Sequence, residues 1–223
     1  MSTISTCGFS TKNLSIASFD SPAVEVILIV FMFLSSLRFV LLCTACTRVG
    51  FRKLMSSEVT RTFFFMIVSG TVLIMAGLVA GRGQDSLAGS LRESLFQVVS
   101  IFTTTGFATV DTNAWPAMCM SLLVAGSIVC GCSGSTSGGI KVDRAIIGAK
   151  CLWRRISEIH SPNAVRLVRM DGRTVPEGTA VEALIFMICY LLLIVAGAIL
   201  NSMSGMPLVE AWTASVASIG NVG

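Results

Sequence analysis

Three stretches of this chain, residues 62–81, 112–140 and 183–209, contain no charged side chain. Each is long enough to supply the roughly 20 apolar residues with which a helix crosses the hydrocarbon core of a bilayer. A fourth, 26–46, is interrupted only by Arg38, which reads as a snorkelling or helix-contact residue and not as a ligand. Composition agrees, since 53% of the 223 residues are hydrophobic and only 13% are charged, with a mean hydropathy of +0.82. A chain of this kind is an integral membrane protein.

The opening MSTISTCGFSTKN lacks the basic-then-apolar order of a cleavable signal peptide, and the chain reads as one that does not begin naturally at Met1. Most of the eight cysteines lie inside apolar spans, where a thiol behaves as a small hydrophobe, so no disulfide framework is expected. Cys43 and Cys46 have CxxC spacing, but with one histidine, His160, and no second CxxC, packing is preferred to zinc binding.

Charge orients the spans. Of the 16 Lys and Arg residues, Arg48, Arg52, Lys53 and Arg61 lie between the first two spans. Arg144, Lys150, Arg154, Arg155, Arg166, Arg169 and Arg173 lie after the third. The positive-inside rule places both segments in the cytoplasm. Because these basic residues flank membrane spans, nucleic acid is not an expected partner.

This topology leaves residues 87–102, LAGSLRESLFQVVSIF, on the outer side, where they are too apolar for a free loop and too short to cross. They predict a re-entrant half-helix ending near Phe102, followed by a returning strand of Thr103, Thr104, Thr105 and Gly106. Irregular backbone survives at membrane depth only where protein surrounds it or water lines it. Its carbonyls can replace the hydration shell of a cation, and the half-helix points the negative end of its dipole at the same place.

The element repeats. Setting Gly106 over Gly223 aligns Leu91 with Leu208, Glu93 with Glu210 and Val99 with Val216; setting Gly106 over Gly8 aligns Ser100 with Ser2, Thr104 with Thr6, Phe107 with Phe9 and Thr109 with Thr11. LVEAWTASVASIGNVG is therefore expected to be a second half-helix with its own return strand, and STISTCGFST a third copy. Glu93 and Glu210, at equivalent places, are expected to serve the outer, N-terminal ends of their half-helices.

The motifs STISTCGFST, FTTTGFATVDTNAWP, GCSGSTSGGIKVDR and SIGNVG, distributed along the whole chain, resemble the Trk/Ktr/HKT superfamily of potassium transporters, and within it the TrkH-type membrane subunit. The resemblance implies an all-α integral membrane fold of repeated helix, re-entrant half-helix, filter loop and helix units around a pseudo-fourfold pore. The implied potassium filters are Thr6-Cys7-Gly8, Thr104-Thr105-Gly106 and Asn221-Val222-Gly223. On this reading the chain is a fragment: residues 1–61 end repeat two, 62–176 form repeat three and 177–223 begin repeat four. Cys7 departs from the small residue expected before a filter glycine.

Residues 130–144, CGCSGSTSGGIKVDR, interrupt the third crossing with Gly131, Gly134, Ser135, Thr136, Ser137, Gly138 and Gly139, followed by Lys141. Glycine costs about 1 kcal/mol relative to alanine in a helix, so a break is predicted. From the residues alone, a kink or close helix contact and a pore-obstructing loop both stand; the resemblance implies the loop, a gate below the filter. Lys141 then either repels cations at its lower edge or snorkels to the cytoplasm.

Enzymatic readings fail on the residues. GSTSG centres on Thr136 with no histidine near it, and the glycine-rich run lacks the GK[ST] ending of a phosphate-binding loop. The expected function is potassium uptake across the bacterial inner membrane by a multi-pass protein, with a non-conducting truncated remnant as the alternative. Potassium is the transported ligand, and no covalent cofactor is expected. The expected partners are the lipid bilayer, a second copy in a homodimer and, by the resemblance, a cytoplasmic nucleotide-binding regulatory subunit. The basic segment 153–178, with turn signals at Ser161-Pro162 and Asp171-Gly172, reads as a tether, a contact for that subunit or an anionic-lipid site.

Overall fold

The computed structural model describes all residues except 14, 20, 46, 83–86, 161–166 and 223, and all their side chains except those of 48, 49, 82 and 160. Nine α-helices are described in order: α1 (Pro22–Ser35), α2 (Phe39–Ala45), α3 (Arg48–Ser56), α4 (Glu58–Arg82), α5 (Leu87–Phe102), α6 (Ala117–Val129), α7 (Val142–His160), α8 (Glu177–Met203) and α9 (Leu208–Gly220). The Cys43/Cys46 spacing and the Ser161-Pro162 turn extend beyond the described residues.

Residues 58–81 of α4 and the whole of α8 are long and apolar enough to span a membrane. The half-helix expected over 87–102 is α5, and the one expected near the end is α9. Each lies against the long helix that precedes it in the same manner. Gly70 of α4 faces Val98 and Phe102, and Gly197 of α8 faces Ser215 and Ile219, which occupy the equivalent repeat positions. A glycine in each long helix thus gives the half-helix its close approach. The Phe102 ring also fills the space beside Gly126 of α6, where a Cβ would overlap it. Phe96, Val98, Val99 and Phe102 are all buried, so α5 is the hub of the larger core.

Several expectations are corrected. Residues 26–45 are not one straight helix: α1 and α2 meet at 112°. The break is held by distant backbone, since Ser36 O accepts from Cys132 N at 3.0 Å and Phe39 N donates to Gly134 O at 3.1 Å. The stretch 183–209 is also not one helix. α8 stops at Met203, Gly205 takes φ +87°, and Pro207 caps α9, because proline disfavours helical backbone immediately before it. The register counterpart of Pro207 is Ser90, which lies inside α5, and α5 begins four residues earlier in the repeat register. Its first turn holds no acidic residue, so Glu93 does not occupy the helix-terminal place that Glu210 has in α9.

Within the basic segment a small antiparallel hairpin, β1 (Arg169–Met170) and β2 (Arg173–Thr174), turns at Asp171 and Gly172. That part is a docked element and not a loose tether. Asp171 Oδ1 accepts from Glu58 N at 2.6 Å, and Lys150 pairs with Glu58 at 2.5 Å. The two basic segments therefore converge on one side of the molecule, as the charge distribution requires.

Candidate functional site

The residues after α5 do not form a strand. They fold back in a tight turn in which Thr104 N donates to Ile101 O at 3.0 Å and Thr105 N to Ser100 O at 2.9 Å. The turn is possible because Thr104 takes φ +57° and Gly106 φ +79°, the left-handed region that glycine enters without penalty. Thr103, Thr104 and Thr105 are fully buried. The hydroxyls of Thr103 and Thr105 pair at 2.9 Å, and Ser100 Oγ donates to Phe107 O at 2.6 Å.

The same two backbone hydrogen bonds recur in the other copies. Thr6 N donates to Thr3 O and Cys7 N to Ser2 O; Asn221 N donates to Ser218 O and Val222 N to Ala217 O. These are the equivalents of the Thr104 and Thr105 bonds, position for position. Thr6 and Asn221 share the left-handed conformation of Thr104, with φ +51° and +56°. Gly8 takes φ +66°, and a Cβ there would run into the Thr105 carbonyl, so the first and second turns touch. The third filter glycine, Gly223, lies outside the described residues.

The glycine-rich segment lies against all three turns. Its ends are set by two left-handed residues, Cys130 at φ +60° and Lys141 at φ +78°. It closes on itself through Lys141 N to Val129 O at 2.8 Å and Val142 N to Gly131 O at 3.0 Å. Thr6 Oγ1 lies 3.1 Å from Thr136 O, Thr136 Oγ1 lies 3.0 Å from Ile4 O, and Gly138 N donates to Thr104 Oγ1 at 2.9 Å. A Cβ on Gly138 would overlap Gly220 O and come within 3.2 Å of Asn221 Cβ. The equivalent residues Thr6, Thr104 and Asn221 therefore each face the same loop.

Ser135 and Ser137 pair through their hydroxyls at 2.7 Å, and Gly134 O receives the Phe39 bond already described. The Lys141 ammonium turns back into the loop and donates to Ser137 O.

Reading the sequence left out Arg38, Asp143 and Asp171 as a group. Arg38 pairs with Asp143 and, at 3.3 Å, with Asp171. It also left out the buried Glu25, which accepts two hydrogen bonds from Arg92 at 2.6 and 2.8 Å. Both clusters join segments far apart in the chain, so no local motif announces them. The one local signal was a lone charge in an otherwise apolar stretch, at Arg38.

Comparison with known proteins agrees with this architecture. The TrkH family profile, described as a cation transport protein, matches residues 1–223. The "Trk system potassium uptake protein TrkH" of Halomonas elongata is 34% identical over 223 residues, covering all of this chain and 46% of that protein. The protein of the same name from Escherichia coli K12 is 30% identical over 227 residues, covering 99% of this chain and 46% of its own. The crystal structure of the potassium transporter TrkH from Vibrio parahaemolyticus superposes with a TM-score of 0.93 at 31% identity, over all of this chain and 48% of that one. The chain spans about half the length of the relatives it matches. These relatives are transporters and not enzymes. Over residues 1–223 the chain belongs to the TrkH family of membrane cation transport proteins.

Proposed function

We propose that the chain contributes to a potassium-uptake pore of the bacterial inner membrane. The turns at residues 6–8, 104–106 and 221–223 offer backbone carbonyls to a dehydrated potassium ion, and the loop 131–139 with Lys141 obstructs the path below them. The observation that carries this reading is the repetition. Three turns share two hydrogen bonds and a left-handed residue at one register position, and that position meets one glycine-rich loop each time. Repeated carbonyl-presenting turns at helix C-termini are a physical solution to cation dehydration. A loop of glycines and hydroxyl residues is built to shift at small cost.

The relatives are named as components of Trk systems, which supports a regulatory partner; the basic segment offers it a face, and a second copy in the membrane belongs to the same proposal. The test is rubidium uptake in uptake-deficient bacteria expressing the protein from its native gene together with its regulator. Potassium is expected to suppress rubidium entry and sodium to leave it unchanged. No rubidium entry despite verified membrane insertion would overturn the reading. In the same assay Lys141→Gln, which removes the cation and its bond to Ser137, is expected to raise the initial uptake rate several-fold with selectivity intact. An unchanged rate would remove Lys141 from the gate.

A further inference from the structure

We infer that Arg38 is a positioning residue that couples the hairpin on the basic side to the intramembrane loop, so that moving the hairpin releases the loop. This rests on the reading of residues 131–139 as a gate.

Arg38 occupies the three-residue break between α1 and α2. The backbone on both sides of it is already bonded to the loop, through Ser36 O to Cys132 N and Phe39 N to Gly134 O. Its guanidinium then bridges two carboxylates from different elements. Asp143 stands in the first turn of α7, immediately past the loop, and its Oδ2 accepts from Ser133 N at 2.6 Å. One carboxylate therefore ties the start of the loop to its end, and Arg38 holds that carboxylate.

The second carboxylate, Asp171, is the turn residue of the hairpin, with φ +49°. It accepts from Glu58 N at 2.6 Å and from Ser57 Oγ at 3.1 Å, capping the start of α4. The planar, forked guanidinium can serve two acids at once, which a lysine ammonium does less well.

The cluster is asymmetric in a useful way. The side chain of Asp143 is 7% exposed, whereas those of Arg38 and Asp171 are 24% and 29% exposed. The hairpin side is thus within reach of a partner and the loop side is not. A cavity of about 950 Å³, lined by Arg38, Lys53, Asp171 and Arg173 among others, lies beside the cluster and gives the hairpin room to move. Drawing Asp171 away leaves Arg38 with one acid in place of two and loosens its hold on the foot of the loop.

Native thiols report the effect. Cys132 lies in the loop and Cys119 lies in α6 against α4; both are fully buried. In the full protein in nanodiscs, the rate of N-ethylmaleimide modification of each is read by peptide mass spectrometry. Arg38→Gln, Asp143→Asn and Asp171→Asn are each expected to speed modification of Cys132 at least five-fold while that of Cys119 stays unchanged, which excludes general unfolding. Arg38→Lys is expected to fall between them and the parent.

Asp171→Asn is decisive, because the hydrogen bonds and ion pair described for Asp171 go to Arg38, Ser57 and Glu58 and not to the loop. If it leaves Cys132 protected while the other two expose it, the cluster is only a local brace and the coupling is overturned. The same variants are expected to raise rubidium uptake with potassium-over-sodium preference retained, and a faster Cys132 reaction with unchanged uptake would also overturn the inference. Absence of uptake by the parent protein is a failure of the pore reading alone, and the thiol measurement still decides whether hairpin and loop are coupled.

Discussion

Gly106→Ser is expected to lower potassium-over-sodium preference by about ten-fold while leaving the protein folded and inserted. Gly106 sits at φ +79°, and holding a residue with a Cβ in such a region costs about 1–3 kcal/mol. The turn is tightly tied, with both Thr105 N and Gly106 N bonded to Ser100 O, so the strain is relieved most cheaply by rotating a neighbouring peptide. That rotation moves a carbonyl. A ten-fold change in relative ion affinity corresponds to about 1.4 kcal/mol, which lies within the strain available.

The measurement is rubidium uptake in competition with excess sodium, where sodium should begin to compete in the variant. Gly172→Ser is the control. Gly172 has nearly the same φ, +77°, with nothing within 4 Å of the place a Cβ would take, but it lies in the hairpin and not in a turn of the candidate filter. Equal strain with no loss of preference there, and loss at Gly106, isolates position from strain. Unchanged preference in Gly106→Ser would remove Gly106 from the filter.

How much of this was legible in the sequence depended on how local the cause was. The half-helix α5 was readable to its boundaries because its apolar run is too short to cross and ends in a threonine-glycine segment, although that segment was expected as a strand and folds as a turn. α9 and the first copy were readable because they repeat that pattern at a few register positions, among them Glu210 and Val216 in α9 and Ser2, Thr6 and Gly8 in the first copy. The break of the third crossing announced itself through four glycines in residues 131–139.

Hydropathy could not show the bend between α1 and α2. Ser36, Leu37 and Arg38 differ little from a tolerated interruption, and what bends the chain is hydrogen bonding to Cys132 and Gly134, about a hundred residues away. The end of α8 was masked differently. The charge-free run continues through Gly205 and Pro207, so counting charges overrode turn signals that were present. The Glu93 and Glu210 equivalence held in register but not in environment, because Pro207 fixes where α9 begins and its counterpart Ser90 lies inside α5.

The ion pair that secures α5 leads to the second large effect. Arg92→Glu is expected to destabilise the fold by about 3 kcal/mol, read as a fall in apparent melting temperature and in the yield of monodisperse protein in detergent. Glu25 is 7% exposed and accepts both the Nε and an Nη hydrogen of Arg92, a two-point geometry that holds α1 against the middle of α5. Losing one partner of a well-buried pair costs about 3–5 kcal/mol, because the other charge is left desolvated. The Arg92 side chain is 44% exposed, so solvent screens part of that loss, while the new carboxylate adds repulsion. Since α5 carries the Thr104 turn at its far end, the loss should also reach transport, as lower uptake per folded molecule.

The exchange Glu25→Arg with Arg92→Glu separates pairing from side-chain identity. If pairing is what counts, the double variant recovers a substantial part of the stability that either single variant loses. A double variant no better than the sum of its singles would show that the two residues act independently, and that α1 and α5 are held together by their apolar contacts alone.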